Sequence, residues 1–188
     1  MASIRSSSTR LALVLIFGAC VLSLEGADAA LALTLTSSAF EPGAPIPSQN
    51  TCEGADMSPP LAWDGVPDGT KSLALILDDP DVPDPKAPKR VWVHWVLYNI
   101  PPGAGGLAEN ADKTGLPPGT ARGITDWRKA KYGGPCPPIG RHRYFHKLYA
   151  LDTTLDLSGA TKADLQAAMK GHVLASAELI GTYQKGDR

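Results

Sequence analysis

YGGPCPPIGRHRYFHKLYAL, residues 132–151, decides the fold. Pro135, Pro137 and Pro138 each remove a backbone donor and fix φ, while Gly133, Gly134 and Gly140 take backbone angles closed to other residues. The first half is therefore a stiff, irregular loop. From Arg141 the pattern alternates. Arg141, Arg143, Phe145, Lys147 and Tyr149 fall on one side of a strand, and His142, Tyr144, His146 and Leu148 on the other. A rigid loop thus delivers an imidazole and a phenol to a common face. With the N–H groups of the Gly-rich bend, these are suited to a small anionic ligand.

Working outward, Ser72–Leu77 is nearly all apolar, as a strand covered on both faces would be. It runs into DDPDVPDP, residues 78–85, which reads as a loop of four acids interrupted by prolines. Carboxylates crowded in this way repel one another, which raises the pKa of at least one and calls for a cation or hydrogen-bond donor. His94 is the expected donor. It follows the acidic segment inside the apolar run Val91–Ile100, where an unpaired imidazole is costly. Leu33–Thr36, Leu61–Trp63, Arg143–Leu151 and Ala177–Tyr183 read as further strands. One helix is expected, with Thr161 and Asp164 as a capping box, Leu165, Ala168 and Met169 at helical spacing, and Gly171 as its stop. The long loop from Gly103 to Tyr132 is expected to be functional or partly structured. The sum is a mainly β protein, an antiparallel β-sandwich with peripheral and C-terminal helices.

Residues 1–29 read as a cleavable signal peptide: Arg5 and Arg10, an apolar run from Leu11 to Leu24, and a small-residue site at Ala27-Asp28-Ala29. Lipid modification at Cys20 is the competing reading. The expected product is exported, periplasmic or secreted. Residues 30–188 form one domain, long enough to bury about two-thirds of its surface. A formal net charge of −1 with no Lys/Arg stripe argues against nucleic acid as a partner. Cys52 and Cys136 remain after export. Pairing them would constrain the unfolded chain by about 4 kcal/mol; two buried thiols are the other reading, and both stay open.

Several chemistries can be weighed directly. As a calcium loop starting at Asp79, the acidic segment has Asp84 where glycine is needed and Arg90 where a bidentate glutamate is needed. No nucleophile-elbow serine is present. His94, His142 and His146 raise zinc, but no His-Glu-x-x-His or Cys-x-x-Cys pattern accompanies them. The expectation is a binding protein without cofactor, metal or covalent chemistry.

Three pieces in order, Asp79-Pro80-Asp81-Val82-Pro83, Trp92-Val93-His94-Trp95 and Gly133-Gly134-Pro135-Cys136-Pro137-Pro138 with Gly140 to Tyr144, resemble the phosphatidylethanolamine-binding protein family, which includes the Raf kinase inhibitor proteins. The resemblance spans roughly Leu33 to Tyr183 and extends to the bacterial-type pieces Thr51-Cys52-Glu53-Gly54 and Ser58-Pro59-Pro60-Leu61. It implies the same sandwich fold and a ligand pocket built from Asp79, Asp81, Pro83, Trp92, His94, Gly134, Pro135, His142 and Tyr144. The implied ligand carries a phosphate or carboxylate, or is a lipid headgroup. Inhibition of a protease or kinase through a surface loop is the alternative. The chain departs from many animal members in placing Lys89 and Arg90 where those have a tyrosine ahead of the tryptophan.

Overall fold

Both cores are built on a single strand, β3 (Ser72–Val82). In the computed structural model, which describes residues 32–187, it lies at the centre of a five-stranded sheet. Its neighbours are β4 (Arg90–Ile100), β6 (Ala121–Arg122), β7 (His142–Leu151) and β8 (Val173–Tyr183), in the order β6-β4-β3-β7-β8. A second sheet joins β1 (Thr34–Thr36), β2 (Leu61–Asp64) and β5 (Gly106–Leu107) in the order β1-β2-β5. The pairings within both sheets are antiparallel.

The period-2 alternation of a strand sends Leu73, Leu75 and Leu77 toward the small sheet, where they meet Leu35, Leu61, Trp63, Trp95 and Leu148. Ala74 and Ile76 face the other way, into a second cluster with Val96, Tyr98, Leu151 and two residues of the helix α2 (Lys162–Met169), Leu165 and Met169. A strand covered on both faces has no polar side, which is why this segment shows no alternation in sequence. The helix carries the expected capping box between Thr161 and Asp164. The same alternation on β7 buries His142, Tyr144, His146 and Leu148 and leaves Arg143, Phe145, Lys147 and Tyr149 at least partly exposed.

The acidic segment differs from its expected loop, because β3 runs on through Asp78, Asp79 and Asp81 to Val82. The carboxylates tolerate the sheet because each has its own partner. Asp78 meets the ammonium groups of Lys147, at 3.0 Å, and Lys162; Asp79 meets His142; Asp81 meets Arg143. The peptide bond between Val82 and Pro83 is cis. Since Lys162 opens α2, Asp78 fastens the helix to the sheet. Asp78→Asn is expected to lower stability by about 2 kcal/mol, because it removes a charge-assisted partner from two half-buried lysines. The check is the midpoint of urea unfolding.

The long loop is structured. It holds β5, the short helix α1 (Ala111–Thr114) and β6, and then follows the edge of β4. The Gly123 N–H donates to the Val96 carbonyl at 2.8 Å, the Asp126 N–H to the Val93 carbonyl at 3.1 Å, and the Val93 N–H to Asp126 Oδ2 at 2.8 Å. The expected signal peptide, with Cys20, lies outside the described residues.

Candidate functional site

The register between β3 and β4 slips at three places, and the middle one, between Leu77 and Asp78, bears on the site. Leu77 pairs with Trp95, but the next residue, Asp78, pairs with Val93, so His94 is a surplus residue. A bulge of this kind re-aims side chains. Trp95 and Leu97 point into the inter-sheet core, and Val93 and Val96 into the opposite cluster. His94 turns the same way as Trp92, into a cleft of about 490 Å³ at the end of the sheet.

Asp79 forms one side of this cleft. Its Oδ2 accepts from His142 Nδ1–H at 2.7 Å, and its Oδ1 accepts from the Asp81 N–H at 2.8 Å. His142 is fully buried, and its Nε2 lies 3.0 Å from the Ile139 carbonyl. The imidazole partner of the acids is thus His142, in place of the expected His94. His94 Nδ1–H donates to the Gly133 carbonyl at 2.8 Å, and its Nε2 has no hydrogen-bond partner among the described residues. Burial holds the His94 imidazole below its ordinary value, against the pull of the Gly133 carbonyl and the Asp79 carboxylate, so the ring is neutral at pH 7. Behind it, Tyr144 sets its ring edge-on to His94, with centroids 5.3 Å apart. Burial pushes the Tyr144 phenol far up, with the Asp79 carboxylate adding to the effect.

The Gly-rich bend does not offer bare amides. The Gly134 N–H donates to Asp56 Oδ1 at 2.6 Å and the Gly133 N–H to the His94 carbonyl at 3.1 Å. What the glycines supply is closeness. A Cβ on Gly134 would stand 2.7 Å from the Asn50 carbonyl oxygen, and one on Gly133 would stand 2.6 Å from the Trp127 ring. The loop from Asn50 to Asp56 is drawn against the bend, and Cys52 and Cys136 are joined by a disulfide with Cα atoms 5.4 Å apart.

Of the residues singled out in the sequence, Asp79, Trp92, His94 and Gly134 line the cleft. Asp81, Pro83, Pro135, His142 and Tyr144 do not. Asp81 is held by the Arg143 guanidinium at 2.7 and 3.0 Å, which keeps its carboxyl below the usual range despite burial. Pro135 is buried, its carbonyl accepting from the Cys52 N–H. His142 and Tyr144 support Asp79 and His94 from behind.

Sequence reasoning missed Asp56, Trp127, Lys129, Lys131 and Tyr132, all of which line the cleft. Trp127 is 40% exposed and packs edge-to-face on both Trp92 and His94. A tryptophan followed by Arg128, Lys129 and Lys131 in a long loop was the available signal. Arg90, at the position of the departure noted above, stacks over Trp92 at 4.3 Å and pairs with Asp126 at 3.6 Å. It therefore braces the two tryptophan walls. Among the described residues no group of three or more His, Cys, Asp or Glu side chains is placed to hold a metal.

The family model described as phosphatidylethanolamine-binding protein matches residues 36–184, and the chain belongs to that family. It is 54% identical over 156 residues to a UPF0098 protein of Methanothermobacter thermautotrophicus, covering 82% of this chain and all of that one. Two crystal structures are similar. One, from Chlamydia trachomatis and described as a phosphatidylethanolamine-binding protein homolog, has 44% identity and a TM-score of 0.75 over 82% of this chain and 98% of its own. The other is YbcL of Escherichia coli, described as a new member of the mammalian family. It has 32% identity and a TM-score of 0.74 over 82% of this chain and 99% of its own.

Proposed function

We propose that this protein binds a small phosphate- or carboxylate-bearing ligand, free or as a lipid headgroup, in the cleft at Asp79 and His94, and that it does so without covalent chemistry. The observation that carries the reading is the polar lining of the cleft: Trp92, whose Nε1 is buried without a partner among the described residues, stands beside Asp79 and His94, and the His94 ring uses its Nδ1 on the Gly133 carbonyl. Buried polar groups are nearly always paired within the fold, so an unpaired one on a cleft-lining residue marks a place where a guest supplies the missing partner.

The chemistry follows from what each group offers. Lys129 and Lys131 give the cleft a positive rim that draws in an anion. At its floor, however, Asp79 and the unprotonated Nε2 of His94 are acceptors. An anion seated there brings a proton or takes one up on His94, which then donates a charge-assisted hydrogen bond. A zwitterion would place its ammonium on Asp79 or Asp56. Trp92 and Trp127 provide the apolar walls.

Calorimetry with inorganic phosphate and with phosphoethanolamine tests this. His94→Ala is expected to weaken both by about tenfold or more, the loss of one charge-assisted hydrogen bond. Equal affinity in wild type and variant rules the site out. Binding of phosphoethanolamine but not of phosphate assigns the site to a headgroup.

A further inference from the structure

Strand β8 carries the longest run of open sheet edge among the described residues. β3 lies between β4 and β7, and β7 between β3 and β8. The outer edge of β4 is taken by β6 and then by the chain at Gly123 and Asp126. The edge strands β1, β5 and β6 are only two or three residues long. β8 has 11 residues, and only its last part is covered. There the Gly43 N–H donates to the Ile180 carbonyl at 2.7 Å, the Thr182 N–H to the Ala44 carbonyl at 2.9 Å and the Ile46 N–H to the Thr182 carbonyl at 2.7 Å. These bonds fix the parity of the strand. Main-chain groups at 180 and 182 point away from β7, so those of Glu178 and Ser176 do as well. On that side they have no main-chain partner among the described residues.

An open edge is a template for another strand, and proteins blunt such edges with proline, lysine or a bulge. Residues 173–179, VLASAEL, hold neither proline nor lysine, and the one bulge, at Leu174, lies at the far end of the run. Val173 and Leu174 are each 44% exposed. The run is also complementary to itself. A twofold axis at Ala177 sets Ser176 of each copy opposite Glu178 of the other, so a hydroxyl meets each carboxylate and no like charges face one another. Their outward N–H and C=O groups bond across the axis, Ala177 meets its own image without bulk, and Leu174 comes level with Ile180 of the second copy.

We propose that this chain associates with a second copy of itself along the open edge of β8, antiparallel about Ala177, so that two five-stranded sheets become one. The contact is one edge with its flanking apolar residues, far smaller than a permanent interface, and the dimer is transient, with a dissociation constant on the order of 10 μM. The cleft lies toward the other end of β8, where Tyr183 pairs with His142. The two clefts therefore sit at opposite ends of the joined sheet, and both stay open.

Sedimentation equilibrium of the full chain over a range of concentrations tests this, with circular dichroism reporting the sheet. The wild type is expected to follow a monomer–dimer equilibrium. Ser176→Pro removes an outward N–H that β7 does not use, and is expected to leave the chain folded and monomeric. Ser176→Glu sets a carboxylate opposite Glu178 of the other copy on both sides of the axis and is expected to weaken the dimer about fivefold, whereas Ser176→Lys is expected to tighten it about fivefold. A wild type that is monomeric at about 500 μM overturns the proposal and leaves the edge to an extended segment of another protein. A dimer or larger assembly that responds alike to Glu and Lys at 176, or to neither, overturns it too.

Discussion

Raising the pH from 6.5 to 8.5 is expected to weaken sulfate binding, by up to roughly tenfold per pH unit until the value of the His94 ring in the complex is passed. Sulfate keeps its charge across this range, so the protein's own protons set the slope. In the free protein burial holds His94 below its ordinary 6.5, and the ring enters neutral. A bound anion beside Nε2 stabilises the protonated ring and raises its value. Between those two values the complex carries one more proton than its parts, so affinity falls as protons become scarce. The slope vanishes toward acid pH, once the free ring is protonated as well. Asp79, Asp126 and the Tyr144 phenol surround His94. The control that isolates the ring is His94→Gln, for which a flat profile is expected. A flat profile in the wild type would show that the anion is held without a proton on His94.

The second large effect concerns stability. His146 on β7 is fully buried, its ring 5.6 Å from that of Phe40, and neither ring nitrogen has a partner among the described residues. Burial, as the main cause, lowers it from 6.5 to about 4. The native chain keeps this ring neutral while the unfolded chain protonates it near pH 6.5, so between those values the unfolded state binds more protons. Stability is complete above pH 6.5 and is lost as pH falls toward 4, by about 3 kcal/mol from this residue. His94, lowered by the same cause, adds in the same direction. Asp81, held low by Arg143, contributes only below the ordinary carboxylate range. Urea unfolding at pH 7 and pH 4.5 measures the loss. His146→Leu, which suits the apolar surroundings, is expected to remove the larger part of it. An unchanged pH dependence in that variant would assign the acid sensitivity elsewhere.

Much of the architecture was legible because it rests on local rules. The alternation from Arg141 onward placed His142, Tyr144, His146 and Leu148 on one face, and β7 buries those residues. The helix at Thr161 was legible from its caps. The acidic segment was read as loop because sequence alone does not show that Lys147, Lys162, His142 and Arg143 come to meet it from 62 or more positions away. The site was half legible. Asp79, Trp92 and His94 converge as the resemblance implied, but the role given to His94 as partner of the acids passed to His142. The slip in register that turns His94 leaves no trace in composition or period. The Gly-rich bend reads as a source of N–H groups for an anion, and only the folded chain shows Asp56 and the His94 carbonyl occupying those of Gly134 and Gly133. Trp127 and its lysines were hidden by the length of the loop that carries them.

The slip in β4 also separates binding from folding. With Leu77 opposite Trp95 and Asp78 opposite Val93, the ladder closes without His94, which is supernumerary to the pairing. Excising that residue outright would remove this one of the ladder's three slips while Trp92, Val93 and Trp95 kept their facings. A lineage could therefore discard the anion contact proposed for His94 by a single codon deletion without removing a rung of the ladder.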